Sequence, residues 1–574
     1  MTHRMIQTAV IALLAGAVSA SSNLHVAGNS TEYDFIVVGG GTAGLTVATR
    51  LAQHSFEVAV VEAGSRYEDN SFAAFPAAVV LPSGSDPTTD SPIDWGFVTE
   101  EFPGANHRRI HFPRGKCLGG SSALNWMIYQ RPSKNAMQLW AQVVNDSSYQ
   151  FEHALPYFQQ SVNFTAPNAA VRLANATADY DAAAFDLRNG GPVQVSYPNY
   201  AMPFSTWMKL GVNAMGIEET KDFNSGTLMG SQYCSSTIQP LNQTRSSSDA
   251  FLSIDPLPLT VYDNTVAQKV VLDANKRATG VEISGNITLR ARREVILSAG
   301  AIQSPQLLML SGIGPEETLR SHAIYVLVDL PGNLREPNGP LGSPIADFLA
   351  WEKIPATHRK SFDKEIEDDL SRFPSDWPEA EASSSLNQNL AEQTLTYLMV
   401  KNQPRDGYQY ASILGTLVAP TSRGSVTIAS GNISEPPLIN PNWLATETDQ
   451  RMAVAIFKRV REAFQSRAMA PVVIGEEYFP GPGVQTDEEI LEFIRDNVMT
   501  IFHPACTCKM GVNTDPMAVV DSQGRVFGTH GLRVIDASAF PILPPGHPQA
   551  TFYMLAEKLA HQIVQDYDRA RDRG

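Results

Sequence analysis

The stretch FIVVGGGTAGLTVATRL, residues 35–51, decides the fold of this chain. Residues 35–38 are four apolar residues typical of a buried strand, and residues 45–51 begin a helical pattern. Gly39, Gly41 and Gly44 have the G-x-G-x-x-G spacing, which allows a tight turn, close approach of the backbone to a pyrophosphate, and packing of the helix on the strand. Because the free N–H groups of the helix N-terminus then face phosphates, the segment predicts a dinucleotide-binding unit.

A second strand, EVAVVEAG, ends at Glu62, eighteen residues after Gly44. A carboxylate at this place can accept hydrogen bonds from the two hydroxyls of an adenosine ribose. NAD and FAD both contain that ribose, so this motif leaves the choice of dinucleotide open. The alternative is an ordinary strand, turn and helix followed by an unrelated acidic residue.

The composition is that of a soluble globular protein. The 574 residues are 43% hydrophobic and 18% charged, which is enough for two or more cores. The formal net charge of −16 and the pI near 5.2 argue against a nucleic-acid partner, because the basic surface that neutralises phosphates is missing.

Four cysteines, Cys117, Cys234, Cys506 and Cys508, are too few for a disulfide scaffold. One disulfide is possible, and its pairing is left open. Cys506 and Cys508 lack the spacing and the partner ligands of a zinc site, so no metal is expected.

Residues 1–20 have the pattern of a secretory signal peptide, with Arg4, an apolar run, and small residues at Val18 and Ala20. No later stretch is long and apolar enough to span a bilayer, so a secreted protein without a membrane anchor is predicted. N-x-S/T sequons agree with this route, and they begin at Asn29, Asn145, Asn163, Asn175, Asn242, Asn286 and Asn432.

Three distant segments, residues 33–62, 292–314 and 531–566, are predicted as strand–loop–helix units of one nucleotide domain. The fold class is therefore α/β, with a Rossmann-like domain that is discontinuous in sequence and an α+β substrate domain with an antiparallel sheet. The predicted nucleotide domain comprises residues 32–150, 235–330 and 506–574, and the substrate domain comprises residues 151–234 and 331–505.

The last of these units carries a candidate functional loop. Pro548 suits the first turn of its helix, and the loop residues Gly546 and His547 would point toward a bound anion or ring. The helical stripe that follows is predicted to be core, and it comprises Phe552, Leu555, Ala556, Leu559 and Ile563.

Longer motifs give the chain a family resemblance. GKCLGGSSALNWMIYQRP, residues 115–132, resembles the first signature of the glucose-methanol-choline (GMC) oxidoreductases, FAD enzymes that oxidise alcohols. GAIQSPQLLMLSGIG, residues 300–314, resembles the second signature, and FHPACTCKMG with GLRVIDASAFPILPPGHPQATFYMLAEK resembles the carboxyl-terminal motifs. The resemblance covers residues 32–566 and implies that the dinucleotide is FAD.

The resemblance also implies which residues bind FAD. The backbone around Gly119 and Ser121 would lie against the pyrophosphate and flavin, Asn125 would hydrogen-bond near the isoalloxazine, and Asp536 with Ala537 would contact the phosphates. Leu124 stands where some members carry a covalent histidyl link, so non-covalent FAD is expected. The complete implied set is Gly39, Gly41, Thr42, Ala43, Gly44, Glu62, Gly119, Ser121, Asn125, Val266, Asp536, Ala537 and Pro548.

By the same resemblance, His503 and His547 flank the reactive face of the flavin. An alcohol gives up hydride readily only as its hydroxyl proton leaves, so a neutral imidazole is a suitable general base, and flavin N5 takes the hydride. His503 is the favoured base, and His547 would orient the substrate oxygen. The order could be reversed, because adjacent imidazoles titrate as a coupled pair.

The carboxyl-terminal motifs look closer to the fungal aryl-alcohol oxidase and patulin synthase subgroup than to glucose oxidase. This predicts oxidation of an aromatic, furanic or polyketide-derived alcohol to a carbonyl in fungal secondary metabolism, with O₂ or another electron acceptor. One alternative is a lyase or cyclase of the same fold in which FAD is structural. Another is a catalytically inactive, binding-only relative.

Three features depart from the family pattern or leave two readings open. Cys506 stands where glycine is usual, and its thiol could tune the pocket or, as we favour, fill volume. Trp95 and Phe97 could wall the substrate pocket or simply pack. Residues 329–355 join two family motifs abruptly, which indicates either a shortened, more open substrate domain or a missing coding segment.

Overall fold

The computed structural model describes residues 31–69, 73–80, 82–254, 256–334, 348–352, 410–418 and 420–572, together with positions 355 and 357. The predicted signal peptide, the sequon at Asn29 and most of the abrupt join at 329–355 lie outside these residues.

A central sheet brings the distant parts of the chain together. Its strand order is β3–β2–β1–β6–β5–β4, with β7 paired to the carboxyl-terminal end of β6. Strands β1, β2, β3, β6 and β7 run parallel, and β4, β5 and β6 form an antiparallel meander. The strands are β1 (Glu32–Val38), β2 (Val58–Val61), β3 (Leu259–Tyr262), β4 (Ala267–Leu272), β5 (Ala278–Ile283), β6 (Ile287–Leu297) and β7 (Leu532–Val534).

The apolar run that opens the fold lies in the middle of this sheet. Val37 of β1 pairs with Val60 of β2 on one side and with Ile296 of β6 on the other. Helices cover the sheet, so these three residues are fully buried, which explains why the run is continuously apolar and does not alternate.

The helices of the described residues are α1 (Thr42–Gln53), α2 (Lys134–Val143), α3 (Phe151–Gln160), α4 (Pro203–Ala214), α5 (Gly300–Leu310), α6 (Glu316–Ser321), α7 (Glu447–Gln465), α8 (Asp487–Asn497) and α9 (Gln549–Arg571).

A buried ion pair joins the first helix, α1, to the last helix, α9. Arg50 of α1 donates from Nε and Nη2 to the Glu557 carboxylate of α9 at 2.7 and 2.8 Å, and Gln160 donates to the same carboxylate at 2.6 Å. Because this fork geometry satisfies a fully buried carboxylate, it fixes the two ends of the chain against each other.

The three predicted strand–loop–helix units are confirmed as β1–α1–β2, β6–α5 and β7–α9. Strands β1, β6 and β7 are neighbours and run parallel, so the loops that follow them meet at one edge of the sheet. That edge is where parallel α/β sheets bind ligands. The predicted α/β class with a Rossmann-like domain is confirmed.

The remaining strands of the described residues form two-stranded pieces. The predicted substrate domain contains two antiparallel pairs among the described residues, and in one of them Gly230–Tyr233 pairs with Phe348–Trp351. The FLAW sequence, inside the abrupt join, is therefore a strand. The domain boundaries stay predictions. The other pairs are Ser65–Arg66 with Cys117–Leu118, Phe97–Val98 with His111–Phe112, Ile128–Tyr129 with Ser235–Ser236, Val162–Phe164 with Val193–Val195, Ile313–Gly314 with Val328–Asp329, and Ser425–Thr427 with Leu438–Asn440.

Packing decides between the alternatives left open for Trp95 with Phe97 and for Cys506. Trp95 stacks on Phe97 with ring centroids 5.9 Å apart, and both belong to a side cluster with Phe112 and Trp443, so they pack together and do not line the cavity described below. Cys506 is buried in the main core and has φ +69°, a left-handed conformation that favours glycine. The thiol therefore fills volume.

All four cysteines are free and buried, so the disulfide that their number allowed is absent from this structure. No helix within the described ranges combines the length and the apolar character needed to cross a membrane.

Lys558 offers a test of the packing of α9. It is 1% exposed, its Nζ finds no hydrogen-bond acceptor in the described part of the chain, and it lies 4.1 Å from the centroid of the Tyr149 ring. Burial lowers the pKa of Lys558 to about 8, so charging this group costs free energy of folding. Lys558→Met keeps the volume, and we expect it to stabilise the fold by about 1–3 kcal/mol at pH 7.

The unfolded chain holds the Lys558 proton up to a higher pH than the folded chain. The wild type should therefore gain stability from pH 8 to about 10.5, and the advantage of the variant should shrink across that window. Thermal unfolding at several pH values measures this, with the exposed Lys134→Met as control. A lower unfolding temperature for Lys558→Met at pH 7 would contradict the account.

Candidate active site

The glycine loop after β1 leaves a helix N-terminus free for an anion. Gly39 has φ +104°, and a Cβ on Gly44 would lie 1.9 Å from the Gly39 carbonyl oxygen, so neither position tolerates a side chain. Gly41 caps α1 without a side-chain hydrogen bond, and the first turn of α1 contains no acidic residue. The unpaired N–H groups and the positive end of the helix dipole are suited to a phosphate.

Glu62 lies beside this loop, as predicted for a ribose contact. Its carboxylate accepts the N–H groups of Gly40 at 2.8 Å and Gly64 at 3.0 Å. Burial raises the pKa of Glu62 to about 7 despite these donors. Each carboxylate oxygen retains a lone pair, so the ribose contact stays a prediction.

Val266 is the remaining FAD-binding residue predicted near Glu62. It follows Thr265, whose N–H donates to the Glu62 carbonyl at 2.8 Å. The Val266 carbonyl accepts the Ser284 N–H at 2.8 Å. Val266 is therefore placed on the same side of the fold as Glu62.

The first signature loop packs directly on the glycine loop. The Gly119 N–H donates to the Gly40 carbonyl at 2.9 Å, and a Cβ on Gly120 would lie 2.7 Å from the Gly41 Cα. Ser121 accepts the Gly115 N–H at 3.2 Å. The two loops thus pack against each other through backbone atoms and form a cradle made largely of backbone.

Asp536 ties the second signature to the carboxyl-terminal segment. Its Oδ2 accepts the Gly300 N–H at 2.8 Å and the Ser304 hydroxyl at 2.6 Å, while its Oδ1 accepts the N–H and the hydroxyl of Ser538. Ala537 accepts the Cys506 N–H at 3.0 Å. The Asp536 side chain is therefore occupied within the protein, and the predicted phosphate contacts of Asp536 and Ala537 would have to come from their backbone.

A cavity with an empty volume of about 770 Å³, including the solvent at its mouth, opens beside the cradle. The predicted residues that line it are Thr42, Ser121, Asn125, His503, His547 and Pro548. The others, Gly39, Gly41, Ala43, Gly44, Glu62, Gly119, Val266, Asp536 and Ala537, do not line this cavity.

The two predicted histidines lie edge to face in the wall of this cavity. Their ring centroids are 5.4 Å apart and their planes are nearly perpendicular, at 86°. His547 precedes α9, and His503 lies on the loop after α8. His503 Nδ1 and His547 Nε2 are buried without a hydrogen-bond partner in the described residues. The structure therefore brings together two imidazoles separated by 44 residues, each with a nitrogen left for a ligand.

Burial keeps both imidazoles neutral at physiological pH. It lowers the pKa of His547 to about 3, and burial together with the nearby guanidinium charge of Arg114 holds the pKa of His503 well below its usual range. A neutral imidazole has a lone pair that accepts a proton, which is the state a general base requires.

Gln130 holds His547, and Arg114 holds the chain beside His503. His547 Nδ1 pairs with the Gln130 carboxamide at 2.9 Å. Because an amide offers either an oxygen or an NH₂ group, Gln130 can pair with either tautomer of the ring. Arg114 donates to the carbonyl of Phe502 at 2.7 Å, and Phe502 has φ +67°, so a strained residue is clamped next to His503.

Sequence reasoning missed Gln130 and Arg114, although Gln130 lies in the quoted first signature and Arg114 precedes it. Phe552 packs against the main core as predicted but is only partly buried, because it lies in the first turn of α9 and also lines the cavity. Leu555, Ala556, Leu559 and Ile563 are fully buried as predicted.

The residues present fit FAD. The uncapped N-terminus of α1 and the backbone cradle suit a pyrophosphate, and the cavity wall carries polar atoms that are buried and unpaired in the described residues. These atoms are His503 Nδ1, His547 Nε2 and Trp126 Nε1. Buried polar atoms without a partner are costly, so they indicate a ligand with its own donors and acceptors.

We expect Gly120→Ala to lose FAD, because its Cβ would lie 2.7 Å from the Gly41 Cα and would force the two loops apart. Gly216→Ala is the matched control, since Gly216 also has a positive φ, of +87°, but has open space around its Cβ position. Flavin absorbance per protein measures occupancy. Equal occupancy in the two variants would show that the close approach of these loops is not needed.

We expect kcat/KM to stay constant as the pH falls well below 6.5, because both histidines remain neutral there. Gln130→Glu places a carboxylate at His547 Nδ1, which favours the protonated ring and raises its pKa. The acid limb of the pH profile should then move upward by at least one pH unit. Gln138→Glu makes the same charge change at an exposed position and should leave the pH profile unchanged. If the acid limb of the profile lies at the wild-type pH in both variants, this explanation is wrong.

Comparison with known proteins identifies the family of the chain. GMC oxidoreductase family models match residues 33–347 and residues 420–556. Patulin synthase from Aspergillus clavatus is 44% identical, and the alignment covers 94% of this chain and 93% of that protein. The alignment runs over 591 positions, more than the 574 residues of this chain, so the relative has residues without a counterpart here.

Two solved structures share the fold. An FAD-dependent oxidoreductase from Chaetomium thermophilum superposes with a TM-score of 0.80 at 26% identity, covering 93% of this chain and 100% of the other. A fungal aryl-alcohol oxidase superposes with a TM-score of 0.78 at 25% identity, covering 93% of this chain and 99% of the other. The chain belongs to the GMC oxidoreductases and is an FAD-dependent enzyme that acts on CH–OH groups.

Proposed function

We propose that this enzyme oxidises an alcohol on an aromatic, furanic or polyketide-derived molecule to a carbonyl in fungal secondary metabolism, passing electrons to O₂ or another acceptor. The observation that carries the proposal is the pair of neutral, facing imidazoles in one cavity. The likeness to patulin synthase and to an aryl-alcohol oxidase supports the class of substrate.

FAD would be held by the α1 N-terminus and the backbone cradle at its phosphates, and by Glu62 at its ribose. When bound, it supplies the hydride acceptor of the reaction. Leu124 lines the cavity and has no nucleophilic atom, which supports non-covalent FAD.

His503 takes the hydroxyl proton of the alcohol in this proposal, and His547 orients the oxygen. The guanidinium of Arg114 disfavours protonation of His503 before substrate binds, so the lone pair stays available. Gln130 fixes the His547 ring. In the structure Gln130 Oε1 faces Nδ1, so for His547 to donate to the substrate oxygen the amide would turn its NH₂ group to Nδ1, and the opposite nitrogen would then carry the N–H.

The walls of the cavity support a flat, apolar substrate. Trp126, Phe502 and Phe552 line it together with aliphatic and proline side chains, and Arg114 is the one charged residue among the described residues of its lining. Aromatic walls hold a ring by stacking and burial and exclude water from the reacting atoms.

Secretion is a further part of the proposal. It is supported by the signal-peptide pattern at residues 1–20 and by the exposure of every sequon asparagine that the structure describes. These are Asn145, Asn163, Asn175, Asn242, Asn286 and Asn432. A fungal culture should release the protein into the medium, and endoglycosidase treatment should lower its mass; unglycosylated protein retained in the cells would contradict this.

Anaerobic mixing with benzylic and furanic primary alcohols should bleach the oxidised flavin absorbance. We expect His503→Ala to slow this reduction by roughly two to four powers of ten, because the general base is lost. His153→Ala, an exposed histidine, is the control. A product at the oxidation level of its substrate, with no bleaching, would instead establish the non-redox alternative.

Asparagine variants separate the two histidine roles, since an amide donates a hydrogen bond but is not a base. His547→Asn should retain much more activity than His547→Ala, whereas His503→Asn should be as slow as His503→Ala. The reverse pattern would assign the base role to His547.

A further inference from the structure

A short segment far along the chain lies behind the first signature loop. We call residues 245–248, with the sequence RSSS, the backing segment. The Ser248 N–H donates to the Ser122 hydroxyl at 3.0 Å, and a Cβ on Gly119 would lie 2.5 Å from the Ser247 hydroxyl oxygen. The backing segment therefore supports the loop, and none of its four residues lines the cavity.

Arg245 of this segment determines which way the Asn125 amide points. Asn125 Oδ1 accepts the Met127 N–H at 3.0 Å and Arg245 Nη1 at 2.9 Å. The same nitrogen of Arg245 donates to the Asn125 carbonyl at 2.7 Å and the Ser122 carbonyl at 3.1 Å. Since both neighbours of Oδ1 are donors, only the oxygen end of the amide fits there, and the NH₂ end is left for the cavity that Asn125 lines.

Arg245 itself is anchored and remains charged. It is 4% exposed, and its Nε donates to the Ala73 carbonyl at 3.0 Å. Burial lowers its pKa to about 10, so it is a cation at neutral pH. Within the described residues its side-chain hydrogen bonds go to carbonyl oxygens and the Asn125 amide, and no carboxylate pairs with it directly.

We propose that Arg245 is a positioning residue of the flavin site, which holds Asn125 so that its amide NH₂ is a fixed hydrogen-bond donor to the isoalloxazine. This rests on the proposed placement of the FAD ring against Asn125. A donor backed by a cation stabilises the electron-rich, reduced ring more than the oxidised ring, so the pair raises the reduction potential of bound FAD.

The test is the reduction potential of bound FAD in the purified holoenzyme, measured by anaerobic titration against a reference dye. Asn125→Ala and Arg245→Met should each favour the oxidised form by roughly tenfold, which is about 30 mV for a two-electron couple. The double variant should shift no further than either single variant, because both remove one interaction.

Arg172→Met is the matched control. Arg172 is also a buried arginine that donates to backbone carbonyls, those of Ala176 and Pro198, and it does not line the cavity. It should lower the unfolding temperature and leave the potential unchanged. Arg245→Lys keeps the positive charge but loses the several directed hydrogen bonds of the guanidinium. The reduction potential of its bound FAD should therefore lie between those of the wild type and Arg245→Met.

The outcomes separate this proposal from the proposed placement of FAD. If Asn125→Ala leaves the potential unchanged, the flavin ring does not contact this amide and the placement fails. If Asn125→Ala shifts the potential but Arg245→Met behaves like Arg172→Met, Arg245 is structural only. If Arg245→Met does not retain FAD, the reduction potential of Arg245→Lys is measured instead. A wild-type potential in Arg245→Lys then overturns the proposal.

Discussion

The buried carboxylate of Asp536 is the contact on which the geometry of the site depends. It joins the first turns of α5, which follows β6, to the segment after β7. These two pieces of chain are more than 200 residues apart and meet because β6 and β7 are neighbours in one parallel sheet. The backbone that follows, at 537–539, then bonds to residues 506, 508 and 510, which places the His503 loop over the sheet edge. Assembly of the sheet is therefore also assembly of the histidine pair.

The site concentrates conformations and environments that are costly elsewhere in a protein. Phe502 and Cys506 adopt left-handed conformations on either side of His503, and both imidazoles are held neutral by burial. Arg114 and Gln130 hold this arrangement from outside the pair, and the ion pair of Arg50 with Glu557 fixes α9 beneath His547. The stable sheet and helices supply the stability that the strained loop lacks.

Much of the fold was predictable, because its signals are local. The glycine spacing, the apolar runs of β1 and β2, and the helical stripe of α9 each lie within about twenty residues, and the family motifs identified both histidines. The supporting contacts were not predictable. Gln130 meets His547 across 417 positions, and Arg245 meets Asn125 across 120, so no local pattern marks them. Asp536 was predicted as a phosphate contact, yet its side chain serves as an internal acceptor, a role that depends on which loops the sheet brings together.

The most direct measurement is a crystal structure of the holoenzyme with an alcohol or a non-reactive analogue bound. We expect the isoalloxazine to lie in the cavity and the ligand oxygen to lie within about 2.6–3.2 Å of a nitrogen of His503 and of a nitrogen of His547. An isoalloxazine seated elsewhere, or a ligand oxygen beyond the reach of either ring, would contradict the central claim that these two imidazoles carry the chemistry.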